Sequence, residues 1–127
     1  MMPKILVVDD DPDIVETVSM MLEARDYQVV PAYGGVEGLQ KARSEKPDAI
    51  VLDVMMPDKD GFEVCKEIKK DPALMDIPVL LLTAVSSKMH ETKYNPRMGM
   101  ETEADDYVDK PVDPEEIVRR VQALLSR

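Results

Sequence analysis

The sequence predicts a doubly wound α/β domain built on a five-stranded parallel sheet. Short apolar runs alternate with amphipathic segments, the pattern of βα units around such a sheet. Four of the runs end in reactive residues: Ile5-Leu6-Val7-Val8 leads into Asp9-Asp10-Asp11, Ala49-Ile50-Val51-Leu52 into Asp53, Val79-Leu80-Leu81-Leu82 into Thr83, and Tyr107-Val108-Asp109 into Lys110-Pro111. If these strands are parallel, all of those groups collect at one sheet edge, where open α/β sheets place their ligands. A length of 127 residues with 44% hydrophobic content suits a single domain over residues 1–127 with one core.

Each element has its own signal. Strand one is Ile5 to Val8. Asp11-Pro12-Asp13 suits a helix start, and Ile14, Val18, Met21 and Leu22 follow at helical spacing. Tyr27 to Ala32 is the second strand. Gly34-Gly35 opens a second helix, in which Val36, Leu39 and Ala42 recur at three-residue intervals before Lys46-Pro47 ends it. Strand three is Ala49 to Asp53. Gly61 to Lys70 forms the third helix, with Val64, Cys65 and Ile68 inward and Asp71-Pro72 as its stop. Strand four runs from Pro78 to Leu82. The final helix opens on a capping box, Asp113-Pro114-Glu115-Glu116, and carries Ile117, Val118, Val121, Leu124 and Leu125 as its apolar stripe.

Between strands four and five the pattern weakens. Ser86 to Asp105 is polar, with a sparse stripe of Met89, Met98 and Met100 and with Pro96, which breaks or kinks a helix. A long loop and an irregular or shortened fourth helix are expected there.

Composition excludes several function classes. A formal charge of −10 repels nucleic acid and anionic membrane, so direct binding of either is not expected. Met1-Met2-Pro3-Lys4 precedes only four apolar residues, too few for a secretory segment or a membrane span, and a cytoplasmic location is expected. A lone Cys65 allows neither an internal disulfide nor a multi-cysteine metal site and reads as a core or boundary residue. Methionines such as Met20 and Met21 read as gap fillers. His90, the only histidine, reads as an exposed loop residue.

Adjacent aspartates at a strand end are often plain turn residues. Here Asp9, Asp10 and Asp53 converge, and carboxylates in a partly desolvated cleft repel one another unless a cation intervenes. Mg2+ takes one or two carboxylates and several waters and leaves room for a phosphate. Lys110 adds a fixed positive charge and Thr83 a hydroxyl donor, which together suit the oxygens of a transferring phosphoryl group. One carboxylate is then the nucleophile, by way of an aspartyl phosphate.

ILVVDDDPDI, VLDVMMPDKDGFEV, PVLLLTA and DDYVDKPV stand in the order and approximate spacing of the bacterial response regulator receiver domain, and the chain resembles that family along essentially its whole length. The resemblance implies a flavodoxin-like strand order, 2-1-3-4-5. It implies that Asp53 accepts phosphate from a histidine kinase or a histidine phosphotransfer protein. Asp9, Asp10, Asp53 and the backbone carbonyl of Met55 are implied to hold Mg2+. Thr83 is implied to contact the phosphoryl group and turn with it, and Lys110 to pair with the Asp53 carboxylate before transfer. A cis Lys110-Pro111 bond is also implied. Ala84, small and next to Thr83, keeps the approach to Asp53 open. Pro57 and Gly61 bracket the loop that turns after strand three. Tyr107 resembles the family's switch aromatic; its alternative is an ordinary half-buried strand residue. Met55 and Val85 flank the phosphoryl site, and neither can orient water, so a long-lived phosphoryl group is expected.

Two features depart from the family. The interval from Thr83 to Lys110 is several residues longer than receivers usually have, and Glu103 stands where a glycine usually precedes ADDY. Helix four, strand five and helix five form the family's output and dimerisation face. The longer interval therefore bears on an unidentified downstream protein or output domain and on a phosphorylation-dependent homodimer. It is either a specialised docking loop or a tolerated insertion. The leading function is a phosphoacceptor switch that catalyses only its own phosphoryl transfer and hydrolysis. A phosphohydrolase is a second reading, against which Met55 stands where an acid is needed. A phosphorylation-independent pseudo-receiver, acting as a protein-binding module, is the third. No output domain is visible in the sequence.

Overall fold

The computed structural model describes residues 2–83, 104–111 and 113–127. Strands β1 (Lys4–Val8), β2 (Gln28–Ala32), β3 (Ala49–Asp53), β4 (Val79–Thr83) and β5 (Asp106–Asp109) form one sheet in the order β2-β1-β3-β4-β5. Every pairing is parallel, and the order matches the expectation. The described helices are α1 (Pro12–Glu23), α2 (Gly35–Glu45), α3 (Gly61–Lys70) and α4 (Pro114–Leu125). None of them is long and apolar enough to cross a membrane.

β3 and β4 are buried along their whole length, which is why they read as unbroken apolar runs rather than as alternating ones. Successive side chains still go to opposite faces. Leu6, Val8, Ile50, Leu52 and Leu81 join Leu39, Ala42, Val64, Cys65 and Ile68 of α2 and α3. Ile5, Val7, Val51, Leu80 and Leu82 join Val15, Val18, Leu22 of α1 and Ile117, Val118, Val121 of α4. The sheet thus carries an apolar layer on each side, and its C-terminal edge is left for polar groups.

Several details differ from the expected pattern. Val36 is 45% exposed, and the inward positions of α2 are Gly35, Gly38, Leu39 and Ala42. A Cβ on Gly38 would meet Val8 Cγ1 at 2.8 Å, so a missing side chain, invisible to hydrophobicity, marks the contact face. Met20 is 62% exposed and fills no gap, because α1 turns Val15, Val18 and Leu22 inward. At α4, Asp113 accepts from the Glu115 amide as the N-cap, but Glu116 pairs with Arg119 and Arg120 instead of closing a reciprocal box. β2 starts one residue later than expected, and β4 extends through Thr83. The expected irregular fourth helix, with His90, falls outside the described residues.

The helix starts beside the polar edge are tied to it. Asp11 caps α1 through the Asp13 amide, and Asp60 caps α3 through the Glu63 amide. Gly34, the N-cap of α2, has no side chain to offer, and Asp58 from the loop after β3 accepts from the Gly35 and Val36 amides at 3.0 Å each. These backbone donors hold the Asp58 carboxyl below its ordinary pKa. Asp58→Ala is expected to cost about 1 kcal/mol, the usual worth of a cap, read as a lowered urea midpoint with an unchanged slope.

Candidate functional site

Parallel pairing sets the site. Val8 lies opposite Leu52, Asp53 opposite Leu82, and Thr83 opposite Asp109, so the residues that end β1, β3, β4 and β5 come out together. Asp53 is the last residue of β3 and is 1% exposed; Asp9 directly follows β1 and is fully buried, while Asp10 is exposed at the rim. A carboxylate oxygen from each of Asp9, Asp10 and Asp53 falls within 4.8 Å of the others.

Lys110 bridges the cluster. Its Nζ stands 3.0 Å from Asp53 Oδ1 and 3.2 Å from Asp9 Oδ2. Asp9 Oδ1 also accepts from the Asp11 amide at 3.0 Å. Neither buried oxygen of Asp53 receives a well-directed hydrogen bond from the described residues, so the Lys110 charge is what balances it there. Burial pushes the Asp53 carboxyl up to about 6, partly offset by Lys110 and reinforced by the charges of Asp9 and Asp10. Burial raises Asp9 in the same direction against its bonds from the Asp11 amide and Lys110. At Lys110, burial would lower the ammonium, but the close carboxylates of Asp53 and Asp9 hold it above its ordinary value.

The donor set fits a hard divalent cation. It is made of oxygen, it carries more negative than positive charge, and it includes buried carboxylate oxygens that accept no hydrogen bond from the described residues. Asp10 opens the cluster to water, of which Mg2+ keeps several molecules. Met55 lies just beyond β3 with its side chain half exposed, two residues from Asp53.

Thr83 is fully buried, and its hydroxyl donates to Asp109 Oδ1 at 2.8 Å. Sequence reasoning named Thr83 but missed this partner; the available signal was an acid preceding Lys110 on the neighbouring strand. Tyr107 is half-buried against the apolar layer of α2 and α3, and burial raises its hydroxyl pKa. The Lys110-Pro111 peptide is cis. Ala84 and Val85 lie outside the described residues.

The family model described as response regulator receiver domain matches residues 5–122. The chain belongs to the response regulator receiver family. Among curated relatives, this receiver is 44% identical over 126 residues to the DNA-binding dual master transcriptional regulator RpaA of Synechocystis sp., covering 99% of the chain and 50% of RpaA. It is 45% identical over 124 residues to the alkaline phosphatase synthesis transcriptional regulatory protein PhoP of Bacillus subtilis, covering 98% of the chain and 49% of PhoP. The chain spans about half the length of the curated relatives it matches. Among solved structures, the BeF3-activated DrrB receiver domain superposes with a TM-score of 0.83 at 38% identity over 100% of both chains. Chemotaxis response regulator CheY4 of Vibrio cholerae gives 0.86 at 34% identity, covering 98% of this chain and 99% of that one. The chain is therefore a receiver domain of the kind found in two-component response regulators, and its acidic pocket fits phosphorylation on aspartate.

Proposed function

We propose that Asp53 is the phosphoacceptor. One Asp53 oxygen attacks the phosphorus of a phosphohistidine on a histidine kinase or histidine phosphotransfer protein, an acyl phosphate bond forms, and the P–N bond breaks with its electron pair leaving on the imidazole nitrogen, which takes up a proton. The observation that carries this reading is a buried carboxylate with no well-directed hydrogen bond among the described residues, 3.0 Å from a lysine ammonium. Asp9, Asp10, Asp53 and the Met55 carbonyl are proposed to hold Mg2+, which when bound supplies charge neutralisation at the transferring oxygens. Lys110 pairs with a phosphoryl oxygen, a role that its 3.0 Å distance from Asp53 supports. Thr83 leaves Asp109 to donate to another, and Tyr107 follows it. The change reaches the end of the sheet at β5 and the adjoining α4 by shifting an existing equilibrium.

The likeness to RpaA and PhoP supports a transcriptional readout, delivered by an output domain or a separate downstream protein and compatible with phosphorylation-dependent dimerisation. The receiver's own charge of −10 does not favour DNA contact. A cytoplasmic location suits that role. Phosphohydrolase activity is disfavoured because Met55 carries no acid or base. The pseudo-receiver alternative is disfavoured by the assembled acid cluster and its lysine.

A small acyl phosphate donor with Mg2+ tests the assignment by intact mass. One phosphoryl adduct is expected on the native chain and none on Asp53→Asn, with slow decay because Met55 orients no water. An adduct that persists in Asp53→Asn moves the acceptor elsewhere, and no adduct with any donor favours the pseudo-receiver.

A further inference from the structure

Thr83 and Asp109 end β4 and β5 as register partners. Each sits one residue from the site: Asp53 pairs with Leu82, just before Thr83, and Lys110, just after Asp109, reaches Asp53 at 3.0 Å. The Lys110 amide donates to the Thr83 carbonyl at 2.7 Å, which fixes the two strand ends against each other. On that fixed frame the buried Thr83 hydroxyl donates to Asp109 Oδ1 at 2.8 Å.

A threonine hydroxyl has one proton to donate. While Asp109 holds it, that proton is unavailable to an oxygen of a phosphoryl group on Asp53. A charged acceptor makes the competing bond stronger than a neutral one would. Asp109 is exposed, so its replacement strands no buried charge, and it removes the charged acceptor offered to a buried hydroxyl.

We propose that Asp109 is a positioning residue that acts through Thr83. Its carboxylate holds the hydroxyl in the unphosphorylated arrangement, and a phosphoryl group on Asp53 must take that hydroxyl from it. Asp109 therefore sets how much the arrangement with Thr83 turned toward Asp53 is disfavoured before phosphorylation, and apparent affinity for a phosphoryl group falls accordingly. This inference rests on Thr83 being a phosphoryl contact.

The test uses the full chain with saturating Mg2+ and beryllofluoride as the phosphoryl mimic, titrated against native protein, Asp109→Ala, Thr83→Val and the double variant. Thr83→Val is expected to bind the mimic more weakly. Asp109→Ala is expected to bind about tenfold more tightly than native, the size of one charge-assisted hydrogen bond released. On the Thr83→Val background the same replacement is expected to change nothing, a coupling that a general loss of negative charge or of strand packing would not produce. Asp109→Asn, nearly isosteric, is expected to shift binding a few-fold in the same direction with the same dependence on Thr83, and it carries the test if the alanine variant misfolds. Equal tightening on both backgrounds, or no tightening on the native one, overturns the role of Asp109. Native-like binding by Thr83→Val instead overturns the phosphoryl contact of Thr83, and the inference with it.

Discussion

Gly61→Ala is expected to destabilise the domain by about 3 kcal/mol, the upper range for forcing an extra methyl into a packed site, and to slow phosphoryl uptake. Gly61 is the first residue of α3, and its amide donates to the Val54 carbonyl at 2.9 Å. A Cβ there would stand 2.3 Å from the Asp53 carbonyl oxygen and 2.8 Å from Val54 Cα. Those atoms are backbone and cannot swing aside. The conflict is steric rather than conformational, since no described glycine has a positive φ. Relief requires α3 to retreat or the end of β3 to move. The second response displaces Asp53 from Lys110, now 3.0 Å away. Urea denaturation checks the first effect, and the rate of adduct formation at fixed donor checks the second. A native-like midpoint and rate would show that the turn after β3 has slack that these distances do not allow.

Asp53→Asn is expected to stabilise the metal-free domain at neutral pH by on the order of 2 kcal/mol, using 1.36 kcal/mol per pKa unit as the scale. The sign follows from linkage. In the folded protein the Asp53 carboxyl is pushed up to about 6 from an ordinary 3.8. Between those values the folded state holds the proton more tightly than the unfolded chain. The associated stability is complete below the unfolded value and is lost as pH rises through the folded one. At neutral pH the ionised group is a net burden, because burial and the charges of Asp9 and Asp10 outweigh Lys110. Asparagine removes that charge at nearly constant volume and leaves Lys110 its ion pair with Asp9. The advantage should vanish toward the bottom of the ordinary carboxylate range, where native Asp53 is protonated. Mg2+ should reverse the ranking at neutral pH, since it binds the folded native cluster more tightly than the variant. Unfolding curves at acid and neutral pH, with chelator and with Mg2+, give all four values. A variant less stable than native in chelator at neutral pH would mean that Lys110 dominates the cluster.

Strands were legible because burial on both faces forces continuous apolar runs, and Ala49 to Asp53 and Gly61 to Lys70 were placed to the residue. Features that depend on an absent side chain or on a distant partner were not. Gly38 packs on Val8 where periodicity suggested Val36, and Asp58 caps a helix that begins 23 residues earlier. Glu116 had equal local claims on Asp113 and on the arginines one turn ahead, and two charges outcompeted one amide.

The family, the parallel sheet and the convergence of Asp9, Asp10, Asp53, Thr83 and Lys110 at one sheet edge were legible in one dimension, because apolar runs and the polar residues that terminate them are local properties of a chain. Three-dimensional pairing decided what those residues do to each other. It set Lys110 between two buried carboxylates, left Asp53 without a well-directed hydrogen bond among the described residues, and gave the Thr83 hydroxyl to Asp109 across the strand register. Such couplings vary steeply with distance and burial, and neither quantity is written along the sequence.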